Sequence, residues 1–387
     1  MRLRTEPVVG ALAFAVALLG SVWKLACDPN GGGLTERTAS YGCYTDMVPL
    51  YYARGLIDGA VPYLDAAADG RYLEYPVLTG ALVRVAQVFA AGDAVRFTLI
   101  SWVIGAVFAG IAAVALQRLA GTAAAFVFAL SPLLFFEAGI NWDLAPTALA
   151  LLALLAWRRS AATAAGVFLG LGAAAKLWPG LLLPVLLFDA ARTRNPRAAL
   201  RVTVAAAASW LVVNLPIALA NREGWWEFYA FSRERGRDWG SLWLAVEYLG
   251  VTIPETATIN TVSSGFFVLA LAAVGHLMWH QRISVALGAL IVLYAFTLVG
   301  KVYSPQYSVW LLALLVITLG ASRWVWAWTA VHLLYFFAIW RHLLDVSLHA
   351  PGGLAAVPYA WVTVGLHAST AVLVVVQLRR EVRATAR

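Results

Sequence analysis

The sequence predicts an all-α protein that crosses a membrane many times. Of its 387 residues, 62% are hydrophobic and only 12% are charged, and the mean hydropathy is +0.77. Soluble globular domains carry roughly twice that charged fraction. The apolar residues form long runs, and most polar residues gather in the stretches between them. This pattern predicts one integral membrane domain over residues 1–387.

About twelve apolar runs approach the roughly 20 residues that a helix needs to cross a bilayer. They are 7–26, 94–117, 121–139, 144–157, 161–176, 178–189, 200–220, 261–279, 284–300, 307–321, 324–340 and 356–378. The fourth to sixth runs are short, so the span boundaries within 144–189 stay open. An even number of spans places both termini on one side. No small-x-small cleavage site follows the first run, which is therefore interpreted as a membrane anchor.

Arginines set the expected orientation, because basic residues at span ends mark the cytoplasmic side. The clusters on that side are Arg2/Arg4, Arg118, Arg158/Arg159, Arg192/Arg194/Arg197/Arg201, Arg282, Arg323 and Arg379/Arg380/Arg383/Arg387. We therefore expect cytoplasmic termini, with the segments 27–93, 221–260, 301–307 and 340–355 outside. The formal charge of +8 belongs mainly to these arginines and does not indicate a nucleic-acid partner. The excess of Arg and Ala over Lys is typical of a GC-rich bacterial genome, which points to a bacterial plasma membrane.

The first outer segment, 27–93, is the candidate catalytic segment. It holds Asp46, Asp58, Asp65, Asp69 and Glu74 together with Arg54 and Arg71. Polar clusters beside a membrane core are costly and therefore indicate function. Two helices are predicted to lie along the membrane interface. The first, 48–58, has Pro49 in its first turn, Thr45 or Asp46 as a cap and Gly59 at its end. In the second predicted helix, 77–91, Arg84 and Gln87 lie on one side and an apolar stripe lies on the other.

Asp46 is the candidate catalytic base, since a carboxylate at a helix N-terminus is favoured in its ionised form and can accept a proton. Its position is equally compatible with a helix cap; the surrounding acids favour function. Asp143 follows Trp142 at a span end. It is either an interface residue or a second carboxylate that assists Asp46. Glu74 either favours the start of the second interfacial helix or forms a polar wall of the site with Tyr75.

The chain has only three lysines, Lys24, Lys176 and Lys301. The last two lie at outer span ends, in a chain that uses arginine for orientation. Lysine suits phosphate as a compact point charge, so both are candidate anion ligands. Lys24 does not lie at an outer turn of this kind, and we interpret it as a lysine whose ammonium group snorkels to the membrane interface. Arg341 and His342 either complete a phosphate pocket or anchor the span end.

Several site types receive no support from the sequence. The histidines are scattered without zinc-site spacing, and no phosphate-binding glycine loop is present. We predict no cofactor, and the sequence leaves open whether a divalent metal takes part. Cys27 and Cys43 allow one disulfide in an oxidising compartment, and two free thiols are equally compatible with the sequence.

A set of motifs resembles a known superfamily. They are Cys43-Tyr44-Thr45-Asp46, the stretch 58–65, Glu74-Tyr75-Pro76, Gly170-Leu171-Gly172 with Lys176-Leu177-Trp178-Pro179, and Lys301-Val302-Tyr303-Ser304-Pro305-Gln306-Tyr307. The chain resembles the GT-C superfamily of membrane glycosyltransferases over nearly its whole length. Within it, the chain is most similar to the polyprenyl-phosphate-mannose-dependent α-mannosyltransferases of glycosyltransferase family 87. The motif of residues 301–307 is its most specific part.

The resemblance implies a GT-C-type bundle of about twelve spans with two outer juxtamembrane helices. Residues 1–201 would form the module that carries the catalytic loop, and residues 202–387 the C-terminal helices. Asp46 takes the position of the base, and Lys176 and Lys301 match basic positions near the donor phosphate. Asp143 remains a candidate catalytic residue from its place at the span end, not from the resemblance. Glu74 matches a loop acid that helps bind a metal in some members; since no histidine partner is evident, no metal is carried over. The candidate substrate-binding residues are Arg54, Asp65, Glu74, Tyr75, Lys176, Lys301, Ser304, Gln306, Tyr307, Arg341 and His342.

The resemblance implies inverting transfer of a sugar, expected to be mannose, from a polyprenyl-phosphate donor to a glycolipid or envelope glycan outside the membrane. One base and two cations suffice, because the acceptor hydroxyl must lose a proton and the leaving phosphate needs cationic stabilisation. Two other classes stay open. A flippase for lipid-linked sugars predicts polar residues deep in the spans and internal symmetry, and a non-catalytic assembly protein predicts tolerance to loss of Lys176 and Lys301. The acceptor and oligomeric state are not readable from the sequence.

Overall fold

The computed structural model describes residues 2–27 and 33–385, with side chains from residue 5 onward. Within these ranges all regular structure is helical, which confirms the all-α prediction. Residues 28–32 of the first outer segment and Arg387 of the last basic cluster lie outside the described residues. The α-helices are α1 Arg2–Val22, α2 Glu36–Tyr41, α3 Met47–Ala53, α4 Val77–Ala90, α5 Ala94–Ala120, α6 Thr122–Ala129, α7 Pro132–Glu137, α8 Leu144–Arg158, α9 Ala162–Ala175, α10 Leu183–Arg192, α11 Pro196–Ala220, α12 Arg222–Glu234, α13 Leu242–Tyr248, α14 Thr256–Trp279, α15 Val285–Val299, α16 Tyr307–Leu319, α17 Arg323–Val346 and α18 Ala356–Ala384.

The helices that could cross a membrane fall into two length classes. Among the described residues, five are long and apolar enough: Thr5–Ala26, Ala94–Ala120, Pro196–Ala220, Thr256–Trp279 and Ala356–Ala384. Five shorter apolar helices are Val77–Ala90, Leu144–Arg158, Ala162–Ala175, Val285–Val299 and Tyr307–Leu319. Every predicted span coincides with one helix or a broken pair of helices. The total of twelve spans stays a prediction.

Two predicted spans are interrupted by proline. The run 121–139 breaks into α6 and α7, because Pro132 cannot continue a helix and Ser131 caps the new one by accepting from the Leu133 amide at 3.3 Å. The run 178–189 begins as the 3₁₀ turn Trp178–Leu182 and becomes α-helical only at Leu183. Both interruptions place chain turns among the apolar helices, and the first of them leads directly into the turn 138–143 beside the candidate site.

The predicted helix 48–58 is shorter than expected. α3 ends at Ala53, and the separate 3₁₀ turn Leu56–Asp58 follows. Gly55 adopts a left-handed conformation with φ +62°, which ends the helix at low cost only for glycine. The second predicted helix is present as α4. Its Gln87 is buried and donates to the carbonyls of Leu56 and Ala60, whereas Phe89 on the apolar stripe is 71% exposed. An interfacial location of α4 stays a prediction.

Small residues bring the central helices together. α9 packs closely against α11, and α1 against α5. A Cβ placed on Gly170 would lie 2.2 Å from the Ala206 carbonyl oxygen, so only glycine permits this approach. Close packing of this kind fixes the helix ends, from which the candidate site is built.

The two ends of the bundle differ in chemistry. At one end Arg118 pairs with Glu6 at 2.6 Å, and Arg158 donates to the Leu119 carbonyl at 2.5 Å, which brings two of the predicted cytoplasmic basic residues together. The C-terminal ends of α1, α9, α11, α15 and α17 reach the other end, where the segments 42–76, 138–143, 221–241 and 300–307 meet. The structure carries no membrane, so the assignment of this second end to the outside stays a prediction.

Candidate active site

A cavity of about 600 Å³ lies where these segments meet. It draws its lining from both predicted parts of the chain, 1–201 and 202–387. Polar and aromatic side chains share it with a smaller apolar set. The polar and aromatic lining residues are Tyr44, Asp46, Arg54, Glu74, Tyr75, Asn141, Lys176, Phe228, Phe231, Ser232, Arg235, Asp238, Trp239, Ser304, Gln306, Tyr307, Trp340 and Ser347.

Asp46 is held in this cavity by the turn before α8. Its backbone amide donates to the Ile140 carbonyl at 2.9 Å, and the Asn141 side-chain amide donates to its carboxylate at 3.3 Å. Tyr44 also contacts the carboxylate. Although Asp46 occupies the N-cap position of α3, its side chain makes no capping bond; Thr45 accepts from the Met47 amide instead. The structure thus leaves the Asp46 carboxylate available to the cavity.

Asp46 differs from the other two acids that line the cavity. Glu74 pairs with Arg54 at 2.7 Å, and Asp238 pairs with Arg235. Among the described residues, no ion pair involves Asp46. A carboxylate without a salt-bridge partner keeps its lone pairs for a substrate proton, which is the requirement for a general base.

Burial raises the pKa of Asp46, because removal from water disfavours the charged form. Contacts with Tyr44 and Asn141 and the charge of Lys176 oppose this shift, and the neighbouring Asp143 adds to it. The result is a carboxyl group whose pKa is displaced upward from the usual aspartate value of 3.8 toward the working pH, where a general base is most effective.

The pH dependence of activity should reveal this shift. A base must be deprotonated, so activity is present above its pKa and is lost as the pH falls through it. Asn141→Ala removes a hydrogen bond that favours the ionised carboxylate, so we expect the acid limb of kcat/KM to move to higher pH. Asn195→Ala, which removes an amide at the start of α11, serves as the control and should leave the limb in place. An unmoved limb in Asn141→Ala would contradict the assignment.

Lys176 faces the cavity and is neutralised from behind by Asp143. The two side chains form an ion pair at 2.6 Å, with 19% and 5% of their surfaces exposed. Asp143 itself does not line the cavity. Asp143 directly precedes α8, and its carboxylate holds the Lys176 ammonium group. The expectation of a second carboxylate beside Asp46 in the cavity therefore differs from the position that the structure gives Asp143.

Three aromatic rings surround the Lys176 ammonium. The Nζ atom lies 5.9 Å from the ring centre of Tyr75, 5.4 Å from Tyr307 and 5.1 Å from Trp310. Tyr75 and Tyr307 line the cavity together with Ser304 and Gln306, so three residues of the 301–307 motif face it. Cation–π contacts hold an ammonium without consuming all of its hydrogen-bond donors. The arrangement therefore leaves Lys176 able to donate to an anion in the cavity.

Arg235 is the cavity cation that sequence reasoning missed. It follows α12, pairs with Asp238 and stacks over Phe231 at 5.5 Å. It also interacts electrostatically with Tyr75 and Tyr307, the rings beside Lys176. In the sequence, Arg235 is one of three closely spaced arginines, with Arg233 and Arg237, and nothing in their spacing sets it apart. Only the fold shows which of the three enters the cavity.

Lys301 lies beside the site and does not line it. Its ammonium donates to the carbonyls of Ser232 and Arg233, both at 3.0 Å, and so closes the C-terminal end of α12. Its electrostatic neighbour is Arg235. Arg235 therefore lines the cavity, whereas Lys301 contacts the end of α12 behind it.

Three other predicted substrate ligands also lie outside the cavity lining. Asp65 accepts from the Val61 amide at 2.8 Å and closes its own turn. Arg341 is exposed and donates to the Gly352 carbonyl. His342 is fully buried, where it contacts the Leu354 carbonyl at 2.8 Å and stacks on Tyr359. Each of the three side chains contacts a backbone group of a nearby turn, which accounts for its position outside the cavity lining.

Arg54 and Glu74 do line the cavity, but as partners of each other. Arg54 donates to Glu74 and, at 3.1 Å, to Asp69. The pair joins the end of α3 to the segment before α4, so Glu74 serves as a polar wall of the cavity. Among the described residues, no group of three or more His, Cys, Asp and Glu side chains could hold a metal ion.

Two buried charged residues behind the site were also misjudged or missed. Lys24 is only 3% exposed and donates to the Tyr44 carbonyl at 3.1 Å, so the interpretation as a snorkelling lysine is wrong. Glu137 is 1% exposed and accepts from Ser308.

Cys27 and Cys43 form a disulfide, which settles the alternative that the sequence left open. Lys24 and this disulfide together tie the end of α1 to the segment that carries Asp46.

Comparisons with known proteins add a distant structural likeness. No family model matches the chain, and no curated protein matches it. The structure is similar to ArnT from Cupriavidus metallidurans bound to undecaprenyl phosphate, with a TM-score of 0.46, 15% identity and coverage of 98% of this chain and 77% of that one. The apo state of ArnT gives a TM-score of 0.45, 15% identity and coverage of 97% and 76%. A likeness at this level establishes neither family membership nor activity for the present chain.

Proposed function

We propose that this protein is an inverting glycosyltransferase that moves a sugar, mannose by the motif resemblance, from a polyprenyl-phosphate donor to a hydroxyl acceptor. The observation that carries the proposal is the pairing, in one cavity, of a half-buried carboxylate without an ion pair, Asp46, with the cations Lys176 and Arg235. A base facing cations is the combination that attack on a sugar phosphodiester needs.

The reaction balances with these groups alone. The acceptor oxygen forms a bond to the anomeric carbon while the bond from that carbon to the phosphate oxygen breaks. The acceptor proton passes to Asp46, and the polyprenyl phosphate leaves with one more negative charge than it had in the donor. Lys176 and Arg235 stabilise that growing charge, so no general acid is required. Attack from the side opposite the phosphate inverts the anomeric configuration.

A flippase is the main competing function. Such a protein is expected to place polar groups at the middle of its spans and to show internal symmetry. Here the charged side chains described above lie toward the two ends of the bundle. Those at one end surround one cavity, and Lys24 and Glu137 are bonded to the segments that build it. This distribution favours chemistry at a fixed site over transport through the bundle.

The proposal is tested by incubating the purified full-length protein with radiolabelled polyprenyl-phosphate-mannose and a bacterial membrane lipid extract. We expect transfer of label to a new product and release of polyprenyl phosphate. A donor panel carrying other sugars identifies the sugar. Movement of intact donor across proteoliposome membranes without any transfer would support the flippase function and overturn the proposal.

The two cations near α12 provide a matched comparison. Arg235→Ala removes a cation from the cavity, and we expect the KM for the donor to rise about 10-fold or more, since hydrogen bonds to charged groups are worth about 1.5–3 kcal/mol. Lys301→Ala removes a cation that only closes α12, and its effect on donor KM should be several-fold smaller. Steady-state kinetics at saturating acceptor measures both. A larger rise in donor KM for Lys301→Ala than for Arg235→Ala would instead support Lys301 as the phosphate ligand.

A further inference from the structure

Lys24 is a buried lysine that the proposed reaction does not use. Among the described residues, its ammonium group makes one hydrogen bond, to the Tyr44 carbonyl, and no ion pair. An ammonium group carries three donors, and burial of a charge without a close ionic partner is costly. An apolar side chain at this position would avoid that cost. A charge that is kept beside a membrane core despite its cost indicates function.

The end of α1, where Lys24 lies, packs on both parts of the chain that hold Asp46. A Cβ placed on Gly139 would lie 2.7 Å from the Ser21 Oγ atom, so α1 directly contacts the turn 138–143. That turn bonds the backbone and the carboxylate of Asp46. The disulfide joins the same end of α1 to the segment before Asp46. Lys24 is therefore held at a fixed place behind the carboxylate.

Two carboxylates are electrostatic neighbours of the Lys24 ammonium group, and they come from these two parts of the chain. Glu137 directly precedes the turn, and Asp46 is two residues beyond the Tyr44 carbonyl that Lys24 holds. Lys24 does not line the cavity, so it has no contact with a molecule bound there. Any effect of its charge on the reaction must therefore pass through Asp46.

Resting on the proposed function, we infer that Lys24 is a positioning residue for the base. Its ammonium group fixes the Tyr44 carbonyl, and its positive charge favours the ionised Asp46 carboxylate. Opposite charges stabilise the ionised form of a carboxyl group, which is the form that accepts a proton. A cation behind the carboxylate does this without an ion pair, so the lone pairs stay free for the substrate. The other titratable and charged groups that face Asp46 or Lys24 are Tyr44, Tyr75, Glu137, Asp143 and Lys176.

Lys24→Met tests the inference with a side chain of similar length and no charge. Loss of the positive charge makes the ionised carboxylate less favourable and so raises the pKa of Asp46. A base works only above its pKa, so we expect the acid limb of kcat/KM to move to higher pH by about 0.5 pH unit or more. The donor KM should change less than about 3-fold, since uniform binding of the donor is untouched. Steady-state kinetics across a pH series measures both quantities.

Lys301→Met is the matched control. The Lys301 ammonium group also donates to backbone carbonyls beside the site, but its electrostatic neighbour is Arg235 and not Asp46. We expect the acid limb to stay at its wild-type pH in this variant, whatever the change in donor KM. Equal displacement of the limb in Lys24→Met and Lys301→Met would contradict the inference, because the effect would then not depend on the place of Lys24.

Lys24→Gln keeps the inference testable if Lys24→Met does not fold. A neutral amide costs less to bury than an ammonium group and can still donate to the Tyr44 carbonyl. Because the charge is absent, we expect the same displacement of the acid limb to higher pH. A folded Lys24 variant that loses activity equally at every pH, with the limb unmoved, would show that Lys24 serves only the fold.

The outcomes separate this inference from the proposed function. Absence of transfer from every donor by the wild-type protein would overturn the proposed function. Transfer by the wild-type protein, with the acid limb of both Lys24 variants at its wild-type pH or at lower pH, would overturn only the positioning role of Lys24.

Discussion

Asp46→Asn should abolish sugar transfer while preserving donor binding. Loss of a general base costs about 10²–10⁴-fold in rate, and the amide keeps the size of the carboxylate and an oxygen that can accept from Asn141. We expect kcat/KM to fall by at least 100-fold and the dissociation constant for the donor to change less than 3-fold. Single-turnover transfer and equilibrium donor binding measure the two quantities.

Asp65→Asn is the matched control for this substitution. Asp65 lies in the same loop, but its carboxylate accepts from the Val61 amide outside the cavity, so its loss should leave transfer largely intact. Asp46→Asn also removes a half-buried charge that has no ion pair, so its melting temperature should not fall below that of the wild type. Wild-type activity in folded Asp46→Asn would remove Asp46 from the mechanism. Equal losses of activity in Asp46→Asn and Asp65→Asn would show that the loss comes from damage to the loop and not from removal of the base.

Lys176→Met should be both unstable and inactive, and a second substitution should separate the two effects. Loss of one partner from a buried ion pair leaves an uncompensated charge and costs about 3–5 kcal/mol. Asp143 is 5% exposed and pairs with Lys176 at 2.6 Å, so it would carry that charge. We expect a lower melting temperature in detergent and a loss of donor binding.

The double variant Lys176→Met with Asp143→Asn removes both charges. We expect it to recover most of the lost thermal stability, since no unpaired charge remains, while donor binding stays weak because the cation is still missing. Thermal unfolding and donor binding are measured on both variants. Recovery of transfer together with stability would show that Lys176 serves only the fold and does not contact the donor phosphate.

The sequence by itself predicted the helices and singled out the carboxylate that we propose as the base. Apolar runs of about 20 residues predict helices in a membrane protein, because a chain in lipid must satisfy its backbone hydrogen bonds internally. The acid-rich loop singled out Asp46, and the motif of residues 301–307 placed Ser304, Gln306 and Tyr307 at the cavity. Lys176 stood out because the chain uses lysine so rarely.

Only the tertiary structure decided which charges meet. Lys301 and Arg235 are 66 positions apart in number, yet both approach the end of α12, and the fold turns one toward the cavity and the other toward backbone carbonyls. Asp143 became the partner of Lys176, and Lys24 became a buried support for the Asp46 loop. Residue type shows what a side chain can bind. Its actual partner depends on distances between segments far apart in the chain, and packing of the helix ends sets those distances.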